Sequence, residues 1–199
     1  MINKRLQDFN IVLASRSPRR QYLLKELGLD FEIISTDVNE EYPDTLSPSE
    51  IAIFLAEKKA ENFDTARMHE KMIIVAADTV VSLEGEILGK PRDHEEATTM
   101  LKKLSGKQHA VITGVCIKSK TKKTCFEVTS KVCFKELCDE EIDYYINNFR
   151  PYDKAGGYGI QEWIGYIGIS RIEGSFFNVM GLPVKEVYEE LLKNYSYLC

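Results

Sequence analysis

Six residues near the start of the chain, Ser15-Arg-Ser-Pro-Arg-Arg20, combine two hydroxyls with three guanidinium groups. They follow an apolar run and open an expected helix, with Pro18 suited to its first position. The N-terminal end of a helix offers unpaired N–H groups and partial positive charge. Carboxylates are favoured there and arginines are not, yet Arg19 and Arg20 stand in the first turn, with Arg16 just before it. One reading is a solvated basic turn. The other is an anion site, where N–H groups, hydroxyls and guanidinium groups converge on phosphate.

A polyphosphate site needs further cations, carboxylates for a metal and a base for water. Asp78 follows the apolar run of residues 72–77, and the carboxyl end of a central strand is where α/β proteins build sites. A carboxylate there is costly to bury unless it is paired or bound to a metal. It is read either as that carboxylate or as a turn former before a hairpin. Glu40 lies in an acidic loop, which alone is unremarkable. Lys58 and Lys59 are ambiguous on spacing alone, and Lys90 sits in the constrained turn Gly89-Lys-Pro91. Gln161 closes a glycine-rich stretch. Its amide offers both a donor and an acceptor.

These residues need elements to position them. Residues 11–14 read as a short buried strand, residues 18–27 as a helix stopped by Gly28, and residues 31–35 as a second strand. A loop over residues 36–46 precedes Ser47-Pro-Ser-Glu50, a capping box that starts a helix to about residue 63. The apolar strand of residues 72–77 is expected to end at Asp78, followed by a hairpin over residues 79–88 turning at Glu84-Gly85. Asp93 caps a helix to residue 104. Residues 108–118 and 124–135 alternate as paired strands joined by a polar, basic turn. A helix over residues 139–147, a glycine-rich loop over residues 151–168, a short strand at 169–172, a loop at 174–181 and a helix over residues 183–194 complete the order. This describes one α/β domain over residues 1–199.

The bulk numbers narrow the chemistry. The chain has 199 residues, 44% hydrophobic and 29% charged, with a net charge of −5 and a pI of about 5.4. A broad nucleic-acid surface normally needs a basic excess, which is missing, so an anionic ligand must be held by a local cluster of cations. The five cysteines, Cys116, Cys125, Cys133, Cys138 and Cys199, have neither C-x-x-C nor zinc-ligand spacing. They are expected as reduced thiols in a cytoplasmic protein, the three in strands as small buried apolar residues. Residues 1–10 do not have the long apolar segment of a signal peptide, and no stretch approaches the ~20 apolar residues of a membrane span.

The ordered motifs Ala14-Ser-Arg-Ser-Pro-Arg-Arg20, Glu57-Lys-Lys-Ala60, Ala76-Ala-Asp-Thr-Val-Val81, Gly89-Lys-Pro91, Ser105-Gly106, Asp153-Lys-Ala-Gly-Gly-Tyr-Gly-Ile-Gln161, Ile172-Glu-Gly174 and Asn178-Val-Met-Gly-Leu-Pro183 span residues 11–193. Together they resemble the Maf family of nucleotide pyrophosphatases. The resemblance implies a mixed α/β fold of inosine-triphosphatase-like kind, with a long twisted sheet flanked by helices and two lobes around a cleft. It also implies hydrolysis of a nucleoside triphosphate between the α and β phosphates, with a divalent metal, Mg or Mn, in a homodimer. By motif, Asp78 takes the proton of the attacking water and shares a metal with Glu40. Ser15, Arg20, Lys58 and Lys90 become phosphate contacts. Arg19, Thr79 and Gln161 resemble the branch that acts on dTTP and UTP. Three positions depart from the family pattern: Arg16 replaces a usual glycine, Asn39 a common aspartate, and Trp163 a small residue, for which packing is the expected role.

Two other functions fit parts of the sequence. A non-catalytic nucleotide-binding regulator of cell division would more plausibly have lost Asp78, Lys90 or Glu40. A single-stranded nucleic-acid binder would use the basic turn of residues 118–123 and the ten tyrosines, against the acidic charge balance.

Overall fold

The computed structural model describes residues 2–34, 38–63 and 68–195. The expected strand end at Ser35, the loop residues Thr36 and Asp37, and Cys199 lie outside them. The elements run α1 (Ile2–Leu6), β1 (Asn10–Leu13), α2 (Pro18–Glu26), β2 (Glu32–Ile33), α3 (Pro48–Glu61), β3 (Met72–Leu83), β4 (Glu86–Leu88), α4 (His94–Leu104), β5 (Gln108–Lys118), β6 (Lys123–Phe134), α5 (Asp139–Phe149), α6 (Trp163–Gly168), β7 (Ile169–Glu173), α7 (Phe176–Met180) and α8 (Val184–Tyr195). The strand order is β2-β1-β3-β5-β6-β7, with β4 paired to β3. β1 is parallel to β2 and β3, while β4 and β7 are antiparallel to their partners. This is the expected mixed α/β sheet flanked by helices.

The chain divides into two compact units. The first comprises Met1–Asp78, Thr113–Val128 and Gly181–Cys199, the second Thr79–Ile112 and Thr129–Met180. In the first unit, Val12 and Ala14 of the β1 segment and Ile74 and Ala76 of β3 pack with Ala56, Ala60 and Phe63 from the α3 segment. Small residues on α3 allow close approach, and Gly114 marks one such point. A Cβ there would stand 2.1 Å from the carbonyl oxygen of Ala52. α3 begins as its sequence dictates. The Ser47 hydroxyl accepts from Glu50 N, and the Glu50 carboxylate accepts from Ser47 N at 2.8 Å.

In the second unit, Val81, Leu83 and Leu88 pack with Ala97, Leu101 and Leu104 of α4, Ile142 and Ile146 of α5, and Phe134. Asp93 caps α4 by accepting from Glu96 N at 2.9 Å. Glu84 and Gly85 take φ of 53° and 89° in the β3–β4 turn, the left-handed pair a tight hairpin uses.

Two expectations change. β3 does not stop at Asp78. Residues 79–83 continue the strand, and Val81, Ser82 and Leu83 pair with β4, so the buried strand and the first hairpin strand are one element of 12 residues, and Asp78 lies in its interior. The segments read as loops also contain short helices, α6 and α7. α1 precedes the first strand, anchored by buried Ile2 and Leu6.

Candidate functional site

The first unit builds its polar cluster on three adjacent elements. β1 leads into residues 14–17, and Ala14 N donates to Val75 O at 2.9 Å, so the chain leaves β1 beside β3. The Ser15 hydroxyl accepts from Ser17 N at 3.1 Å. Ser17, not Ser15, caps α2 by accepting from Arg20 N. Ser15 is buried, Arg16 is exposed, and Arg19 and Arg20 are half-buried. Arg20 Nε donates to Gly181 O at 2.8 Å, which fixes the guanidinium at the helix start. Burial holds its pKa below the ordinary value and Arg19 adds to this, whereas the charges of Asp78 and Glu40 oppose it. Both carboxylates therefore act on Arg20 and offset part of the cost of placing a cation at the positive end of a helix dipole.

Asp78 is 8% exposed. Side chains alternate along a strand, so it shares the face of Ile74 and Ala76, which pack with α3. Lys59 on that helix donates to Asp78 Oδ1, and to Glu40 Oε1 at 2.8 Å. One ammonium thus bridges two carboxylates, with the Lys59 and Asp78 side chains each only 12% exposed. An unpaired buried carboxylate is costly, and this pairing offsets part of that cost. Asn39, the departure from the usual aspartate, accepts from Glu41 N at 3.0 Å and shapes the turn that presents Glu40.

Lys58 has different partners. Its Nζ donates to Glu41 O at 3.1 Å and lies 5.7 Å from the Phe54 ring centroid. Sequence reasoning left Lys59 ambiguous and carried the phosphate role to Lys58. A signal was present. At about 100° per residue, Lys59 falls near the centre of the stripe formed by Ala52, Leu55, Ala56 and Ala60, while Lys58 falls about 100° round the helix. A lysine in the middle of an apolar stripe needs a partner.

The second unit holds Thr79, Lys90 and Gln161. Thr79 is half-buried on β3 and Lys90 exposed after β4. Gly156 N donates to Gly89 O at 2.9 Å, which ties the Lys90 turn to the glycine-rich loop. Gly156 takes φ +73°, and a Cβ there would stand 3.1 Å from Val81 Cγ1. The loop is anchored at both sides of its tyrosine. Lys154 bridges Asp153 at 2.7 Å and Glu162 at 3.0 Å. Tyr145 donates to Glu162 and accepts from Gly159 N at 2.9 Å. Tyr158 meets His109 Nε2 at 2.7 Å. Burial raises the pKa of both tyrosines. Within this anchored loop the Gln161 Oε1 is buried and has no hydrogen-bond partner among the described residues. Trp163 packs on Tyr144, ring centroids 4.7 Å apart, which is the packing role expected of it.

Described from its elements and its charges, this is an α/β protein with a cationic helix start set against a lysine-bridged carboxylate pair. The "Maf-like protein" family model matches residues 10–194, and the chain belongs to that family. It is 52% identical over 187 residues to a dTTP/UTP pyrophosphatase of Parabacteroides distasonis, covering 94% of this chain and 96% of the relative. A protein of the same name from Porphyromonas gingivalis is 52% identical over 188 residues, 94% of each chain. One from Flavobacterium johnsoniae is 50% identical over 191 residues, 96% and 98%. A solved structure, the Ham1 protein of Staphylococcus aureus, aligns with a TM-score of 0.44 at 18% identity, covering 63% of this chain and 71% of the other. Among the described residues no helix is long and apolar enough to cross a membrane.

Proposed function

We propose that this chain hydrolyses nucleoside triphosphates, dTTP and UTP foremost, to the monophosphate and pyrophosphate. The relatives' shared name gives the substrate class. The observation that carries the chemistry is the Lys59 bridge between Asp78 and Glu40, with Arg20 held in their field. In the reaction a water oxygen bonds to the α phosphorus, and the bond from that phosphorus to the α–β bridging oxygen breaks. Asp78 accepts the water's proton. Lys59 holds the Asp78 carboxylate in one orientation, so proton transfer does not wait on side-chain rotation. Arg20, anchored on Gly181 O, meets phosphate charge with a guanidinium that burial has made costly to leave unpaired. Ser15, Lys58 and Lys90 are further phosphate contacts. Arg19, Thr79 and Gln161 select the base, and the unpartnered Gln161 Oε1 suits the N3–H of uracil or thymine.

The donor set fits a magnesium or manganese ion, for which Glu40 and Asp78 would be the protein ligands. Two carboxylate sources are hard oxygen donors, and such ions commonly take one or two carboxylates plus substrate phosphates and water. When bound, the ion neutralises phosphate charge.

The test is to incubate purified protein with dTTP, UTP and other triphosphates in magnesium or manganese and measure pyrophosphate. Orthophosphate alone, or no product, refutes the reading. Asp78→Asn is expected to abolish turnover with the fold intact, and an unchanged rate would remove Asp78 from its role.

A further inference from the structure

The β5–β6 hairpin holds two thiols that hydrolysis does not use. Ser119 N donates to Lys122 O at 2.7 Å across the turn, so residue numbers of opposed pairs sum to a constant. Cys116 then faces Cys125. Bonded and non-bonded pairs alternate in an antiparallel ladder, so with 119 and 122 bonded, 116 and 125 form a non-bonded pair. Such pairs hold their Cα atoms about 4.5 Å apart, inside the range a disulfide spans. The Sγ atoms lie 2.9 Å apart and both thiols are free. The two differ in access: Cys116 is fully buried and Cys125 half-buried.

We infer that Cys116 and Cys125 form a reversible intrachain disulfide, a modification site whose co-reactant is a low-molecular-weight disulfide. Cys125 is the entry thiol. Its thiolate attacks one sulfur of the small disulfide, forms a mixed disulfide and expels one small thiolate, which takes up a proton. Cys116 then gives its proton to solvent, and its sulfur attacks Cys125 Sγ. The Cys116–Cys125 bond forms and the second small thiol leaves. The protein dithiol loses two electrons and the small disulfide gains two.

The electrostatics agree with this order. The neighbouring Cys116 sulfur is the main influence that lowers the Cys125 pKa; burial and the charges of Glu57 and Glu61 oppose it, and Lys123 assists. The Cys125 contact and burial raise that of Cys116. Lys123 itself is held by Glu57 at 2.6 Å and Glu61 at 3.1 Å, both on α3. The pair also belongs to the apolar cluster that includes Ala56 and Ala60 of α3, so the new bond would form against the helix that carries Lys59.

The test uses the full chain and oxidised glutathione, followed by alkylation, intact mass and a non-reducing tryptic map. Trypsin cuts between the two cysteines at Lys118, Lys120, Lys122 and Lys123, so the bond joins two peptides. The expected result is loss of the Cys116 and Cys125 thiols, no glutathione retained on either, a Cys116–Cys125 linked peptide pair, and full recovery with dithiothreitol. Cys116→Ala is expected to stop at one glutathione on Cys125, and Cys125→Ala to leave Cys116 unreacted. A stable glutathione adduct on Cys125 in the unmodified chain overturns the inference. So does a link through Cys133, Cys138 or Cys199, or survival of both thiols. The wild-type map decides even where an alanine variant fails to fold.

Discussion

Acid should destabilise this protein through one buried histidine, by an amount the structure sets. His109 is 3% exposed. Its Nε2 meets Tyr158 OH at 2.7 Å, its ring stacks on Phe134 with centroids 5.7 Å apart, and its Nδ1 is buried without a partner among the described residues. Burial lowers its pKa from 6.5 to about 4, because the imidazolium would add a charge, and an N–H with no acceptor, inside an apolar cluster. The folded state therefore resists protonation while the unfolded chain accepts it below about 6.5. Stability is full above that pH, falls as pH drops towards about 4, and levels off below. The whole effect is about 3 kcal/mol, and the share lost between pH 7 and pH 5 about 1.8 kcal/mol, or roughly 20-fold in the unfolding constant. Urea unfolding at pH 7, 6 and 5 measures it, with His109→Gln as the non-titrating comparison. The variant starts less stable, but its slope with pH should be shallower by that amount. His69, His94 and the carboxylates are common to both proteins and cancel in the difference. Parallel slopes, or a His109 ring resonance titrating near pH 6.5, would refute the reasoning.

Three further outcomes follow from the structure. Lys59→Met leaves Asp78 and Glu40 without their shared ammonium and should lower kcat by about 100-fold or more, whereas Lys58→Met should act mainly on KM; steady-state pyrophosphate release separates the two. Gly114→Ala drives a methyl into the Ala52 carbonyl, 2.1 Å from the ideal Cβ position. It should cost about 2 kcal/mol in thermal or urea unfolding, since α3 must move. Gln161→Leu removes the buried amide and should weaken kcat/KM for dTTP and UTP by about 10-fold or more, a hydrogen bond's worth of recognition, with little effect on stability.

What the sequence made legible is mostly local. The Ser47–Glu50 box, the Asp93 cap and the Glu84-Gly85 turn are contacts between residues at most three apart, and each formed where the residue types required. β2 is shorter than the strand expected. Glu32 and Ile33 are both exposed, with Ile33 at 52%, so little apolar burial extends the pairing. The continuation of β3 past Asp78 was hidden because a strand end and a strand interior look alike when the next residue is Thr79. Pairing in the sheet, with β4 and β5 as neighbours of β3, distinguishes them.

The site shows the same division more sharply. A motif carrying two consecutive lysines says that a cation belongs there but not which one, and successive helix residues point about 100° apart. Partners distant in sequence separate the two: Lys59 meets Glu40 and Asp78, each 19 residues away, and Lys58 meets Glu41 O. Arg20 follows the same rule, since its placement rests on Gly181, 161 residues on. The cysteines complete the pattern. Spacing classed Cys116 and Cys125 as separate small apolar residues, yet the turn at Ser119 and Lys122 sets them face to face. In each case residue type supplies the chemical capacity, and long-range register decides which copy of that residue holds it.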